Sequence, residues 1–238
     1  MSGYRGIVPI AGAYRGSTAL TAAYCGSVKV WSRNRMFDNF SGPNVDLKDT
    51  GRWADLGPST DYRAAIVDGV MRLGMPDGLI ATTNRFSRAR YTVAQQTSDD
   101  GYIECRAATK GNGSPPLGGA SYTTILYRRS NNTGATQTHG VGIGLRESKL
   151  FIALRSSSID AEVVQCGSFG AGDIFRLRQV GNLHSMYRNG QFVGEWNDTN
   201  NLAAKGPNYR SMTVRVDASK DILGPRRFSP ALDYVECS

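Results

Sequence analysis

No apolar run in this 238-residue chain approaches the roughly 18 residues a membrane-spanning helix needs, which excludes insertion as a helix. Histidine is scarce, with only His139 and His184, and there is no Gly-x-Ser-x-Gly elbow and no Cys beside a His. A nucleophilic triad is therefore not expected. The four cysteines, Cys25, Cys105, Cys166 and Cys237, fit no zinc spacing and no CxxC pair. By alternation Cys105 faces inward with Ile103 and Cys237 with Val235, so buried free thiols are expected. The N-terminus lacks a basic segment followed by a long apolar one, so a secretory signal is not expected and assembly in a cytoplasm is. No amphipathic helix is convincing; residues 61–70 fit a short helix or a strand.

What the chain does have is glycine, 28 residues of it, and a net charge of +8. The basic residues are scattered: Arg85, Arg88 and Arg90 in one segment, then the pairs Arg128-Arg129 and Arg226-Arg227. That distribution predicts a solvated basic face. No zinc-finger, KH or RNP-type motif accompanies it, so nucleic acid is not an expected partner.

Alternation of period two dominates residues 36–238. Met212, Val214 and Val216 alternate with Ser211, Thr213, Arg215 and Asp217. Val141, Ile143 and Leu145 alternate with Gly142, Gly144 and Arg146, and Phe175 and Leu177 with Arg176 and Arg178. The segment Tyr122–Tyr127 is apolar on both sides and reads as a central strand. Asn189-Gly190 marks a two-residue hairpin turn. Many short strands joined by turns predict an all-β fold, a two-sheet antiparallel sandwich or jelly roll.

Residues 1–33 follow another rule. Tyr4-Arg5-Gly6, Tyr14-Arg15-Gly16 and Tyr24-Cys25-Gly26 repeat at a spacing of ten, and the last unit ends in Trp31. One strand plus one turn suits that period, and three such units cannot close a core alone. The segment reads as an N-terminal assembly arm, with Tyr4, Gly6, Tyr14, Gly16, Tyr24, Gly26 and Trp31 as its contact and turn residues. Residues 36–238 form one following domain.

Two resemblances add to this reading. Gly172-Asp173-Ile174-Phe175-Arg176-Leu177 running into Tyr187-Arg188-Asn189-Gly190-Gln191-Phe192-Val193 resembles the strand-hairpin of concanavalin A-like (laminin-G/glucanase) jelly rolls. Phe37-Asp38-Asn39-Phe40 and Leu232-Asp233-Tyr234-Val235 are similar to the first and last strands of that fold, which pair with each other. Jelly rolls of this kind often carry a structural calcium between those strands, and Asp38 and Asp233 fall at the matching places, but two carboxylates do not establish a site and the preferred reading is that these acids end strands or cap turns; no other cofactor is expected. The openings Tyr14-Arg15-Gly16-Ser17-Thr18-Ala19 and Tyr24-Cys25-Gly26-Ser27-Val28-Lys29-Val30-Trp31 resemble minor tail proteins of actinobacterial tailed phages. That implies a structural virion protein at the tail, held by its arm to other tail proteins and to its own copies as a homo-oligomer.

Retaining glucanases of the jelly-roll fold carry E-x-D-x-x-E on one strand, and this chain has no such run. Glu195-Trp196-Asn197-Asp198 has the wrong spacing, and Glu104, Glu147, Glu162 and Glu236 are isolated in sequence. The expectation is a non-enzyme. The alternative function is recognition of host envelope glycans, for which Trp53, Tyr122, Trp196 and Tyr209 are the candidate contacts; a cell-wall glycosidase ranks third.

Overall fold

The computed structural model describes residues 35–76, 83–112, 122–220 and 225–238, together with four backbone strands of the arm. Those four are β1 (Tyr14–Arg15), β2 (Thr18–Ala19), β3 (Ala22–Cys25) and β4 (Val28–Ser32). Next come β5 (Met36–Asp38), β6 (Val45–Asp46), β7 (Trp53–Pro58), β8 (Ala64–Val67), β9 (Val70–Leu73), β10 (Thr83–Tyr91) and β11 (Gly101–Ala107). Then follow β12 (Thr123–Ser130), β13 (Gly140–Arg146), β14 (Lys149–Ser156), β15 (Ile159–Ser168), β16 (Ile174–Val180), β17 (Leu183–Arg188) and β18 (Gln191–Asn197). The last three are β19 (Ser211–Lys220), β20 (Arg226–Phe228) and β21 (Leu232–Cys237).

Two antiparallel sheets face each other. The first runs β15-β14-β13-β12-β19-β10-β7, with β20 also on β19; the second runs β18-β17-β16-β11-β21-β9-β8-β6, with β5 also on β21. The alternating positions meet between them. Ile103, Cys105, Phe175, Leu177, Val214, Val216, Val235 and Cys237 are all fully buried in one core, as period two requires. The fold is the expected two-sheet jelly roll. Its first and last strands do pair, Phe37 with Glu236 and Asp38 with Val235.

Local chemistry explains several connections. Asn189 and Gly190 both have positive φ, at 51° and 80°, as a tight hairpin with matching twist demands. Residues 61–70 hold no helix but strand β8 and the turn into β9, a hairpin with Asp68 and Gly69 in the left-handed region at its turn. Cys105, Cys166 and Cys237 are free and buried.

The basic residues correct one expectation. Arg88, Arg128 and Arg129 are buried, not a solvated face. Arg128 is taken up by main-chain carbonyls: it donates to those of Asp99, Ser98, Asp100 and Ser238, and to Gln179 Oε1. A guanidinium has five donors, so a ring of carbonyls at the end of the sandwich can hold it without a carboxylate.

The arm strands form two separate two-stranded sheets, β1-β2 and β3-β4. Tyr14, Tyr24 and Trp31 lie in these strands by backbone; Tyr4, Gly6, Gly16 and Gly26 lie outside the described residues.

Candidate functional site: a charged trough on the first sheet

The outer side of the first sheet, away from the core, is not an ordinary wet face. Ile125, Tyr127, Phe151 and Ala153 are buried there as a cluster of their own. The glycines of β13 make room for them. A Cβ on Gly144 would stand 2.1 Å from the Phe151 ring, and one on Gly140 2.9 Å from the Tyr127 ring. The neighbouring rings therefore lie down over a glycine row.

Charged side chains roof this apolar floor. Asp160 Oδ1 accepts from Tyr127 Oη at 2.8 Å and from Arg155 at 2.6 Å. Its other oxygen is shared by Arg88 and by Arg215. Arg215 then grips Asp217 through Nε at 2.9 Å and Nη2 at 3.0 Å. The Phe86 ring has two guanidiniums on it, Arg88 and Arg215, each 4.9 Å from its centroid.

These contacts show the sheet's shape. Five interstrand steps separate β10 from β15, about 24 Å on a flat sheet. Yet Arg88 of β10 and Asp160 of β15 form an ion pair. Two side chains cannot span that gap, so the sheet curls and this face is the inside of a trough.

The two carboxylates sharing Arg215 are driven apart. Burial pushes the Asp217 carboxyl above its ordinary value, against the pull of Arg215. Burial also acts upward on Asp160, but Arg88, Arg215 and Arg155 outweigh it and hold that carboxyl below its ordinary value. Burial and then Asp160 push the Tyr127 phenol well up, so it stays a donor. One acid that keeps its proton longer and one that stays ionised sit on the same guanidinium.

The second sheet's outer face uses similar groups differently. Glu104 and Glu236 stand directly opposite each other on β11 and β21. Glu104 takes Arg176 at 2.7 Å and Tyr234 Oη at 2.8 Å; Glu236 takes Arg35 and Tyr102 Oη. Half-exposed aromatics flank them: Phe37 against Tyr234, and Tyr187 against Phe192.

The aromatic residues singled out in the sequence do not converge. Trp53 and Tyr122 are buried, at 3% and 2% exposure, which removes them as glycan contacts. Trp53 donates its indole N–H to Asp38 at 2.7 Å, and the Tyr122 hydroxyl bonds Ser219. Trp196 lies parallel to His184 at 5.1 Å and packs on the core. Tyr209 is half-exposed beside His139, in another part of the molecule.

Asp38 and Asp233 do not fit a calcium ion. The fully buried Asp38 carboxylate already accepts from Trp53 and from the Phe40 N–H at 2.9 Å, and pairs with Arg52 at 3.2 Å. Asp233 pairs with Arg106 at 3.4 Å. Donor hydrogens occupy the oxygens a cation would need, and calcium wants six to eight of them. Among the described residues no group of three or more His, Cys, Asp and Glu could hold a metal.

No family model and no curated protein matches the chain. Solved structures do. A prokaryotic β-1,3-1,4-glucanase (lichenase) from a mouse hindgut metagenome superposes with a TM-score of 0.56 at 11% identity, over 86% of this chain and 99% of its own. A glycosidic hydrolase gives 0.55 at 11% identity, over 86% and 95%. A GlcNAcα1-4Gal-releasing endo-β-galactosidase from Clostridium perfringens gives 0.52 at 13%, over 85% and 61%.

These likenesses correct the expectation of a non-enzyme. The chain has the fold of glycoside hydrolases, and the criterion that excluded catalysis asked for acids on one strand. In the structure Asp160 and Asp217 come from β15 and β19 and meet on one guanidinium. Glu104 and Glu236, isolated in sequence, are paired across neighbouring strands. Sheet order brings such acids together, and no local spacing reports it.

Proposed function

We propose that this is a carbohydrate-active jelly roll that takes a glycan into the trough of its first sheet. The observation that carries the reading is the Asp160 cluster, in which three arginines and a tyrosine converge on one carboxylate beside the Phe86 ring. Sugars are recognised by an apolar ring face with a few fixed, multiply bonding polar groups around it. The rim of this trough offers Phe86, Arg215 and Asp160, with Arg146 and Glu162 paired nearby.

The opposed carboxyls favour hydrolysis on the same face. Hydrolysis would need the glycan to displace Arg215 from both carboxyls, whose oxygens now accept from it; burial then favours the protonated form of Asp217 as proton donor, and Asp160, held ionised by Arg88 and Arg155, is its counterpart. Release of reducing ends from mixed-link β-glucan, arabinogalactan or peptidoglycan tests it. Activity abolished in both Asp160→Asn and Asp217→Asn supports the pair. Activity that survives both, or wild-type protein that binds and never cleaves, reduces the reading to recognition alone.

The arm supports a separate reading, attachment to a phage tail. Among the described residues its strands pair with one another, in the two-stranded sheets β1-β2 and β3-β4. A chain lacking residues 1–33 should fold and fail to enter particles. Normal incorporation of the truncated chain would refute that role.

A further inference from the structure

The trough of the first sheet is closed at one end. The loop at 131–139 joins β12 to β13 and reaches strands on either side of that pair. Its Gly134 carbonyl accepts from Arg90 of β10 at 3.0 Å, and its Gln137 carbonyl accepts from Arg155 of β14 at 2.9 Å. Ala89 and Tyr91 lie in the core, so Arg88 and Arg90 both face the trough. Four guanidiniums, those of Arg88, Arg90, Arg155 and Arg215, thus gather toward the closed end.

Their charge is not matched. Asp160 is shared by Arg88, Arg155 and Arg215, and Asp217 is held by Arg215 alone. Glu162 is taken by Arg146. Among the described residues Arg90 makes no ion pair; of a guanidinium's five donors it uses one, on the neutral Gly134 carbonyl. Burial pushes Arg90 below its ordinary value, and no carboxylate opposes that. Arg88 is buried beside it, and the Arg88 Nε has no hydrogen-bond partner. Guanidiniums keep their charge at neutral pH, so a surplus of them in a concave site attracts an anion.

We infer that the closed end of the trough takes an acidic sugar unit, one whose carboxylate or phosphate group lies on Arg90 and Arg88. Either group offers several oxygens to guanidinium forks. Phe86 faces the same trough about 13 Å back along β10 from Arg90. A glycan can therefore lie across the Phe86 ring and end with its acidic unit on the arginines. The sugar half of this assignment rests on the reading of the trough as a glycan site; the acid half rests on the unmatched guanidiniums.

Calorimetric titration of the full chain with two pairs of polymers tests it: polygalacturonate against its carboxyl-reduced form, and phosphomannan against its dephosphorylated form. At least one acidic polymer should bind at least about tenfold more tightly than its neutral counterpart, and the pair that does so identifies the acid. Arg90→Met should erase that preference with the melting temperature unchanged. Arg178→Met removes one charge from the outer face of the second sheet and should change the preference by no more than about twofold. Acidic and neutral forms bound alike in both pairs, or no polymer bound, overturns the proposal. So does a preference that survives Arg90→Met, or one that falls equally in Arg178→Met and is then a matter of net charge. Should Arg90→Met not fold, Arg90→Gln, which keeps a donor for the Gly134 carbonyl, replaces it with the same expectation. Phe86→Ala separates the two halves. Neutral polymers bound as well as acidic ones and lost in Phe86→Ala would uphold the trough and refute the acid. Binding unaltered in Phe86→Ala, with the preference lost in Arg90→Met, would uphold the acid site and refute the glycan path over the ring.

Discussion

The two outer faces of the sandwich are made of the same materials and do different things with them. Both set carboxylates among arginines and aromatic rings. On the second sheet the contacts of Glu104 and Glu236 join neighbouring strands, and each glutamate has its own Arg and its own Tyr. The result is a ladder of local pairs on an open face. On the first sheet the contacts cross from β10 and β19 to β15, because the sheet curls. There two aspartates share one guanidinium and their protonation is driven in opposite directions. Curvature, not composition, makes one face a candidate site and leaves the other a stabilised surface.

The largest test of that difference is to remove one arginine from each face. Arg215→Met leaves Asp160 and Asp217 in the trough without their shared partner, and should cost about 3–5 kcal/mol in denaturant unfolding. Arg176→Met, whose side chain is 49% exposed beside Glu104, should cost at most about 1 kcal/mol. Equal costs would mean the two faces are not distinct in kind.

Next to Arg215 stands Val214, fully buried on the other side of the same strand. Val214→Ala should cost about 1–3 kcal/mol through lost burial and a cavity, less than Arg215→Met. A neutral result would break the register on which both faces depend.

An effect of pH belongs to the edge hairpin of the second sheet. His184 is fully buried there, and neither ring nitrogen has a hydrogen-bond partner. Burial, and then Arg129, push it down to about 3. Because the folded value lies below the unfolded one, near 6.5, the unfolded chain takes up the proton first. Stability is therefore full above about pH 6.5 and falls as pH drops toward 3, by at most about 1.4 kcal/mol per pH unit. His184→Phe should flatten that slope between pH 4 and 6. An unchanged slope would assign the acid sensitivity elsewhere.

Much of this fold is legible in the chain. Met212, Val214 and Val216 announce β19 and its inner face, and Asn189-Gly190 announces the β17-β18 hairpin. Outward placement of Glu104, Arg176 and Glu236 also follows from alternation. The trough does not. Arg88 and Asp160 lie 72 residues apart, and alternation says which way a side chain points without saying how a sheet bends. The scattered arginines read as solvent-facing because a lone Arg gives no sign of the carbonyls or carboxylates that will receive it. Trp53 and Tyr122 failed as sugar contacts for a related reason: each has one polar atom, and a single buried acceptor satisfies it.

The central claim is that a glycan occupies the trough of the first sheet. Affinity electrophoresis through gels containing mixed-link β-glucan or arabinogalactan tests it most directly, comparing wild type with Phe86→Ala in the trough and Tyr187→Ala on the opposite face. The account predicts that wild type and Tyr187→Ala are retarded alike in at least one gel and that Phe86→Ala runs free. Retardation lost in Tyr187→Ala and kept in Phe86→Ala would place the glycan on the wrong face and contradict it.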